Sequence, residues 1–125
     1  RELAKEASLK LKELSYIHSE AFPGGEFKHG TLSLIEEGVP VFAFLTDDES
    51  ATLSNAIEAG SRGADLIGVG TEKRDNFEYF LEVPEDENSE ILEIIPFQLL
   101  AYRTSVLKGN DPDKPRNLAK SITVK

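Results

Sequence analysis

Two short apolar runs, residues 40–46 and 64–70, limit what this chain can fold into more than any other feature of its sequence. Nearly unbroken apolar runs are typical of parallel strands that are buried on both faces. The intervening residues, about 49–59, contain neither glycine nor proline and follow two aspartates that can cap a helix. Residues 77–83 indicate a third, more polar strand. The alternation of strand and helix therefore predicts an α/β layered domain with a parallel sheet.

The chain begins with a helical pattern rather than a strand. Residues 2–22 contain no glycine or proline, and their apolar positions recur at helical spacing. These positions are Leu3, Ala7, Leu14, Ile17 and Ala21. A doubly wound domain normally begins with a strand, so we expect either a small sheet or a first strand that lies upstream of Arg1.

A last helix is predicted over residues 90–107. Pro96 lies inside this pattern, which predicts a kink or a later start of the helix. The apolar stripe of this helix comprises Ile91, Ile95, Leu99, Tyr102 and Val106. Gly109 is expected to end the helix, and a polar segment follows it.

Composition narrows the function classes. The 125 residues include 14 basic and 23 acidic side chains, and the resulting net charge of −9 repels nucleic acids and acidic membrane surfaces. Cysteine is absent from the chain, which excludes disulfides, thiolate metal sites and a cysteine nucleophile within it. No stretch resembles a signal peptide or a membrane span, so we expect a cytoplasmic protein of one domain.

The first helix carries a lysine and a glutamate next to its apolar stripe. At about 100° per residue, Lys10 falls within the stripe and Glu13 lies at its edge. Burial lowers the pKa of a lysine and raises that of a glutamate, which would suit both residues to proton transfer near neutral pH. The alternative is a structural ion pair, in which the lysine stem packs on the apolar surface and its ammonium reaches water. The pattern alone favours the ion pair.

The two histidines of the chain occur in different settings. His18 lies near the apolar side of the first helix, where we expect a packed core side chain. His29 lies in a glycine-containing loop, and loops are where functional residues concentrate. The spacing of the histidines matches no metal-binding signature, and no glycine motif matches a nucleotide-binding one, so no metal or cofactor is expected.

Three stretches, residues 9–21, 25–30 and 98–124, resemble a known family in their order and spacing. The family is the glucosamine-6-phosphate synthases, or glutamine–fructose-6-phosphate aminotransferases, and the resemblance is to their isomerase part. It implies a sugar isomerase (SIS) fold, a flavodoxin-like three-layer α/β sandwich with a parallel sheet, here lacking its first strand. It also implies that residues 1–108 are the second SIS subdomain and that residues 109–125 are a carboxy-terminal catalytic tail.

The resemblance further implies a catalytic set. Lys120 would form an imine with the C2 carbonyl of fructose 6-phosphate, and Glu13 would move a proton between C1 and C2. Lys10 would assist proton transfer at a neighbouring hydroxyl, and His29 would open the sugar ring in the site of the neighbouring subunit of a homodimer. Substrate contacts are implied for Ala119, Lys120 and Glu13.

The family joins this part to an upstream SIS subdomain, which binds the sugar phosphate, and to a glutaminase domain, so we expect the isolated chain to be inactive. Three hypotheses stay open. The first is the isomerase part of an aminotransferase that makes glucosamine 6-phosphate with ammonia from glutamine. The second is an ammonia-dependent phosphosugar isomerase or deaminase of the same fold. The third is a non-catalytic SIS module that senses phosphosugars or serves as a dimerisation surface.

Overall fold

The computed structural model describes residues 2–28, 30–45 and 49–117, and it contains a parallel sheet. The strands of the sheet in these ranges are β1 (Pro40–Phe44), β2 (Asp65–Gly70) and β3 (Tyr79–Glu82). They are adjacent in chain order, and both neighbouring pairs are parallel. The predicted parallel sheet is confirmed.

Four α-helices occur in the described part of the chain: α1 (Glu2–Lys10), α2 (Glu49–Gly60), α3 (Ser89–Leu92) and α4 (Ile94–Leu107). A π-helical turn, Leu11–Ser15, extends α1, and two short 3-10 turns, Gly24–Glu26 and Thr31–Leu34, lie between it and β1. Within the described ranges, no helix is long and apolar enough to cross a membrane.

Helices cover both faces of the sheet. On one face, α2 packs over the strands in a buried cluster of Ala43, Leu45, Ala56, Ala59, Leu66 and Phe77. On the other face, α1 and α4 pack in a second cluster of Ala7, Val69, Val83 and Phe97. Successive strand residues point to opposite faces, so a strand buried on both faces must be apolar throughout. The three-layer sandwich is therefore confirmed.

The first helix is shorter than predicted. α1 and its π-helical turn end at Ser15, and residues 16–23 have no regular secondary structure. The chain instead turns back along α1, because the Ser8 hydroxyl donates a hydrogen bond to the Ser19 carbonyl at 2.9 Å. Ile17 is consequently 36% exposed, and the apolar stripe does not extend to it.

The last helix confirms one expectation and contradicts another. Pro96 lies in the first turn of α4, where proline is tolerated, so the predicted later start is confirmed. The predicted apolar stripe, however, faces solvent. Leu99 is 60% exposed, and the other four members are also exposed: Ile91, Ile95, Tyr102 and Val106. The buried face instead consists of Phe97, Ala101 and Ser105. Ala101 and Ser105 are small and mark the side on which α4 packs closely. A search for large apolar residues overlooks this side.

Candidate active site

Lys10 and Glu13 form an ion pair at the end of the first helix. The Lys10 Nζ lies 3.1 Å from the Glu13 Oε2 and 3.3 Å from the Glu6 Oε1. The side chains of Lys10 and Glu13 are 30% and 28% exposed, so the pair is partly desolvated but open to solvent on one side. The two residues singled out in the sequence therefore meet in the fold as an ion pair.

The pKa of Lys10 is raised above its ordinary value of 10.5. The main cause is the hydrogen bond from its ammonium to Glu13, which outweighs the lowering effect of burial, and Glu6 adds to the increase. Lys10 thus has the raised pKa of an ion pair, the interpretation that the helical pattern favoured, rather than the lowered pKa of a buried lysine. Lys10 is a cation near neutral pH, so it can donate hydrogen bonds and stabilise negative charge, but it is not a base.

The helix that carries this pair ends in an unusual turn. The Tyr16 N–H donates to the Leu11 carbonyl, five residues back, and Tyr16 itself has φ 54° and ψ 36°. For a bulky residue, this left-handed conformation costs on the order of 1–2 kcal/mol, and it persists only where surrounding contacts hold it. Both π-helical turns and strained residues are common at functional sites. Tyr16 therefore depends on neighbouring contacts to keep this conformation.

Polar contacts fix the π-helical turn to α4. The fully buried Ser15 donates a hydrogen bond from its hydroxyl to the Ala101 carbonyl at 2.8 Å. The Lys108 Nζ donates to the Ser15 carbonyl at 2.7 Å, which satisfies an acceptor that the end of a helix leaves open. The carboxyl ends of the first helix and of α4 are thereby joined.

The segment after α4 follows a defined turn. Gly109 has φ 74°, and the Asn110 N–H donates to the Ser105 carbonyl at 3.0 Å, a helix ending that glycine favours. The Asp111 Oδ1 then accepts a hydrogen bond from the Asp113 N–H at 3.0 Å. Such aspartate turns stiffen a short loop, so the direction in which the chain leaves α4 is set locally.

The chain returns to the end of the first helix at Arg116. The Arg116 Cζ lies 3.8 Å from the centroid of the Tyr16 ring. The Arg116 N–H also donates to the Tyr16 Oη at 2.9 Å. We call these two contacts the tail clamp. Because Tyr16 follows Glu13 by three positions, the clamp ties the segment after α4 to the helix that carries the ion pair.

The segment that leads to His29 lies on the other face of the sheet. The Gly24 carbonyl accepts a hydrogen bond from the Asn55 side chain of α2. Lys28 forms an ion pair with Glu58 of α2 at 3.1 Å, and its hydrogen bond is the main cause of the lowered pKa of Glu58. α2 and the first helix cover opposite faces, so the sheet lies between this segment and the Lys10–Glu13 pair.

The other predicted site residues, His29, Ala119 and Lys120, lie outside the described residues. The side chain of His18 is 84% exposed and lies 3.5 Å from Glu20, so its predicted core position is wrong, because the helix ends before it. Among the residues that the structure describes, no three His, Asp or Glu side chains form a group that could hold a metal ion.

Sequence reasoning assigned no role to the residues of the tail clamp. Tyr16 and Arg116 both belong to the stretches that carry the family resemblance, which was the available signal. Their contact joins positions 100 residues apart, and no spacing rule predicts it. Ser15 and Lys108 likewise meet only in the folded chain.

The described residues thus form a three-layer sandwich around a parallel sheet, with a charged pair at the end of the first helix. The SIS domain model matches residues 2–108, and the chain belongs to this family. Among curated proteins, it is similar to the glutamine–fructose-6-phosphate aminotransferase (isomerizing) of Clostridium perfringens, with 48% identity over 98% of this chain and 22% of that protein. The chain thus spans about a fifth of the length of the curated relatives it matches.

Solved structures give a consistent result. The C-terminal domain of the glucosamine-fructose-6-phosphate aminotransferase from Francisella tularensis superposes with a TM-score of 0.76 at 38% identity, over 88% of this chain and 33% of that one. A glucosamine-6-phosphate deaminase from Thermotoga maritima superposes with a TM-score of 0.77 at 28% identity, over 96% of this chain and 36% of that one.

Proposed function

We propose that this chain forms the carboxy-terminal isomerase part of a glutamine–fructose-6-phosphate aminotransferase and acts on fructose 6-phosphate. One observation carries the proposal: the segment that leads to Lys120 is tied at Arg116 to the helix that bears Glu13. Lys120 follows Arg116 by four positions, and an extended chain of that length spans up to about 14 Å. We therefore propose that the Lys120 amine and the Glu13 carboxylate act in one site.

Lys120 is the proposed nucleophile. Its neutral amine adds to the C2 carbonyl of the open-chain ketose, and loss of water leaves an imine. Ammonia then replaces the lysine at C2, which frees the Lys120 amine. Glu13 takes a proton from C1 and returns it to C2, while the proton of the C1 hydroxyl passes to the imine nitrogen, so that C1 is oxidised to an aldehyde and the imine carbon is reduced to an amine. The product is glucosamine 6-phosphate, and no external oxidant or reductant is needed.

Lys10 supports this proton transfer as a cation. Its raised pKa keeps it protonated, so its ammonium stays paired with the Glu13 carboxylate at 3.1 Å. The same ammonium can donate a hydrogen bond to the hydroxyl oxygen next to the reacting carbon, where negative charge develops. This hydrogen bond is the assistance that we assign to Lys10.

We assign His29 to the site of a second copy of the chain. Its neighbour Lys28 is held on α2, on the face of the sheet opposite to Glu13, which supports ring opening by His29 in a partner's site rather than in its own. A homodimer follows from this assignment. α4 also has an exposed apolar face, centred on Leu99. A face of this kind is typical of a surface that another protein surface covers.

We propose that residues 109–125 act as a catalytic tail, that Ala119 contacts the substrate beside Lys120, and that an upstream SIS subdomain and a glutaminase domain complete the enzyme. The cytoplasmic location expected from the sequence is part of the same proposal.

The proposal predicts a separation of imine formation from isomerisation in the complete enzyme. Borohydride reduction in the presence of fructose 6-phosphate should trap a covalent adduct in the wild type and in Glu13→Gln, but not in Lys120→Ala. Glu13→Gln should lower the rate of glucosamine 6-phosphate formation by about 10²–10⁴-fold, because the shuttle for the proton is lost. The adduct is measured by mass spectrometry of the reduced protein.

Lys114→Ala is the matched control, since Lys114 is an exposed lysine of the same segment. It should retain both the adduct and the activity. An adduct that survives Lys120→Ala would contradict the role given to Lys120.

The deaminase alternative has its own support, because the chain superposes on a glucosamine-6-phosphate deaminase. Isotopically labelled glutamine distinguishes the two functions. Transfer of the label from the glutamine amide to the sugar favours the aminotransferase, whereas release of ammonia from glucosamine 6-phosphate without any use of glutamine favours the deaminase.

A further inference from the structure

Two contacts of one residue tie the segment after α4 to the end of the first helix. The Arg116 guanidinium lies over the face of the Tyr16 ring, with its Cζ 3.8 Å from the centroid. The backbone N–H of the same arginine donates to the Tyr16 Oη at 2.9 Å. The first contact depends on the side chain of Arg116 and the second on the hydroxyl of Tyr16, so each can be removed separately.

The clamp holds a chain whose path is already restricted on both sides. On the helix side, the π-helical turn is joined to α4 through the Ser15 hydroxyl and the Lys108 ammonium. On the other side, Gly109 and the turn at Asp111 direct the chain away from α4. At the end of the described chain, the clamp therefore fixes the segment after α4 beside Tyr16.

The clamp is peripheral to the core. Arg116 is exposed, Tyr16 is half-buried, and neither belongs to the two buried apolar clusters. Exposed cation–π and hydrogen-bond contacts contribute little to overall stability. The left-handed backbone of Tyr16 is nevertheless an unfavourable conformation that brings this ring and the arginine together. The Tyr16 backbone is strained and its contacts with Arg116 add little stability. We therefore look for a role of this contact other than folding.

We propose that Tyr16 and Arg116 are positioning residues, which hold the start of the tail so that the amine of Lys120 meets the substrate beside Glu13. This inference rests on the proposed function. It acts through proximity, because anchoring the tail four residues before the nucleophile raises the effective concentration of the amine at the site. Releasing the clamp leaves every reacting group intact but enlarges the volume that the tail explores.

The test compares clamp variants of the complete enzyme. Arg116→Ala and Tyr16→Leu should each lower kcat, and the rate at which the borohydride-trapped adduct forms, by about 10–100-fold. The KM for fructose 6-phosphate should change by less than about threefold, since the proposed role of the clamp is to position the tail and not to bind the sugar. The double variant should be about as slow as Tyr16→Leu alone, because Tyr16→Leu already removes both contacts of the clamp.

Conservative variants separate positioning from folding. Tyr16→Phe keeps the ring and loses only the hydroxyl acceptor, and Arg116→Lys keeps a cation, so both should recover part of the lost rate. Lys5→Ala, at an exposed lysine of α1, should leave the rate unchanged. Thermal unfolding should show a Tm within a few degrees of the wild type for every clamp variant.

The outcomes are distinguishable from failure of the proposed function. If the wild type forms no trapped adduct, the proposed function itself is wrong. If the wild type forms it and Arg116→Ala forms it at the same rate, within about twofold, the clamp inference alone is overturned. A loss of rate that follows a large fall in Tm, without recovery in Tyr16→Phe or Arg116→Lys, would assign the clamp to folding and would also overturn the inference.

Discussion

At the scale of single residues, Lys10 shows how far a helical pattern can be taken. Its spacing of three from Glu13 predicts that the side chains meet, and they do, at 3.1 Å. The pattern does not reveal the direction of the pKa change, because that direction depends on whether burial or the hydrogen bond to Glu13 dominates. The hydrogen bond dominates here, so the ammonium is retained.

A double-mutant cycle tests the Lys10–Glu13 pair. Lys10→Met, Glu13→Gln and the double variant should give a coupling of about 0.5 kcal/mol in the free energy of unfolding at pH 7, typical of helix ion pairs. Because folding raises the pKa of Lys10, its stabilising contribution is present below the unfolded value of 10.5 and is lost as the pH rises through the higher folded value. Urea unfolding at pH 7 and pH 9 should therefore give the same coupling. A coupling that disappears by pH 9 would show that Lys10 deprotonates early.

At the scale of elements, the strands are better predicted than the ends of the helices. A parallel strand covered on both faces requires an apolar run, and that requirement is visible at residues 40–46 and 64–70. The end of the first helix depends instead on Tyr16 entering the left-handed region and on Ser8 capturing the Ser19 carbonyl. Neither event has a local signature, since tyrosine and serine are tolerated inside helices.

The orientation of α4 makes a direct stability prediction. Phe97→Ala should lower the free energy of unfolding by about 3–5 kcal/mol, because Phe97 is 2% exposed and stacks on Phe44 with ring centroids 4.9 Å apart. Leu99→Ala, two residues along the same helix, should change it by less than about 1 kcal/mol. Urea denaturation of the chain measures both. Equal losses for the two variants would contradict the assignment of the buried face.

At the scale of the whole molecule, the three layers of the fold could be predicted from the sequence, but the path of the segment after α4 could not. Composition and periodicity predict helices on both faces of a sheet, because burial of strand residues requires it. The return of the chain to Tyr16 depends on a glycine-ended helix, an aspartate turn and a contact between residues 100 positions apart. The family resemblance supplied the residues of the candidate site, and the fold supplied the connection between two of its parts.

The assignment of His29 to a partner's site predicts complementation between inactive variants. Glu13→Gln and His29→Ala should each be inactive as homodimers of the complete enzyme. After mixing, unfolding and refolding in equal amounts, about half of the dimers are hybrids, and each hybrid has one intact site, so about a quarter of wild-type activity should return. Enzyme assays of the mixture measure this recovery. Activity no greater than the sum of the separate variants would place both residues in the same chain's site.

Because the sheet lies between Lys28 and the first helix, the turnover rate of the proposed enzyme would depend on the association of its subunits. A catalyst whose site needs residues from opposite faces of two chains loses turnover when its subunits part, and it regains turnover only by encounter. Upon dilution below the dissociation constant of the pair, the rate would fall with the square of subunit concentration, although every chain remained folded.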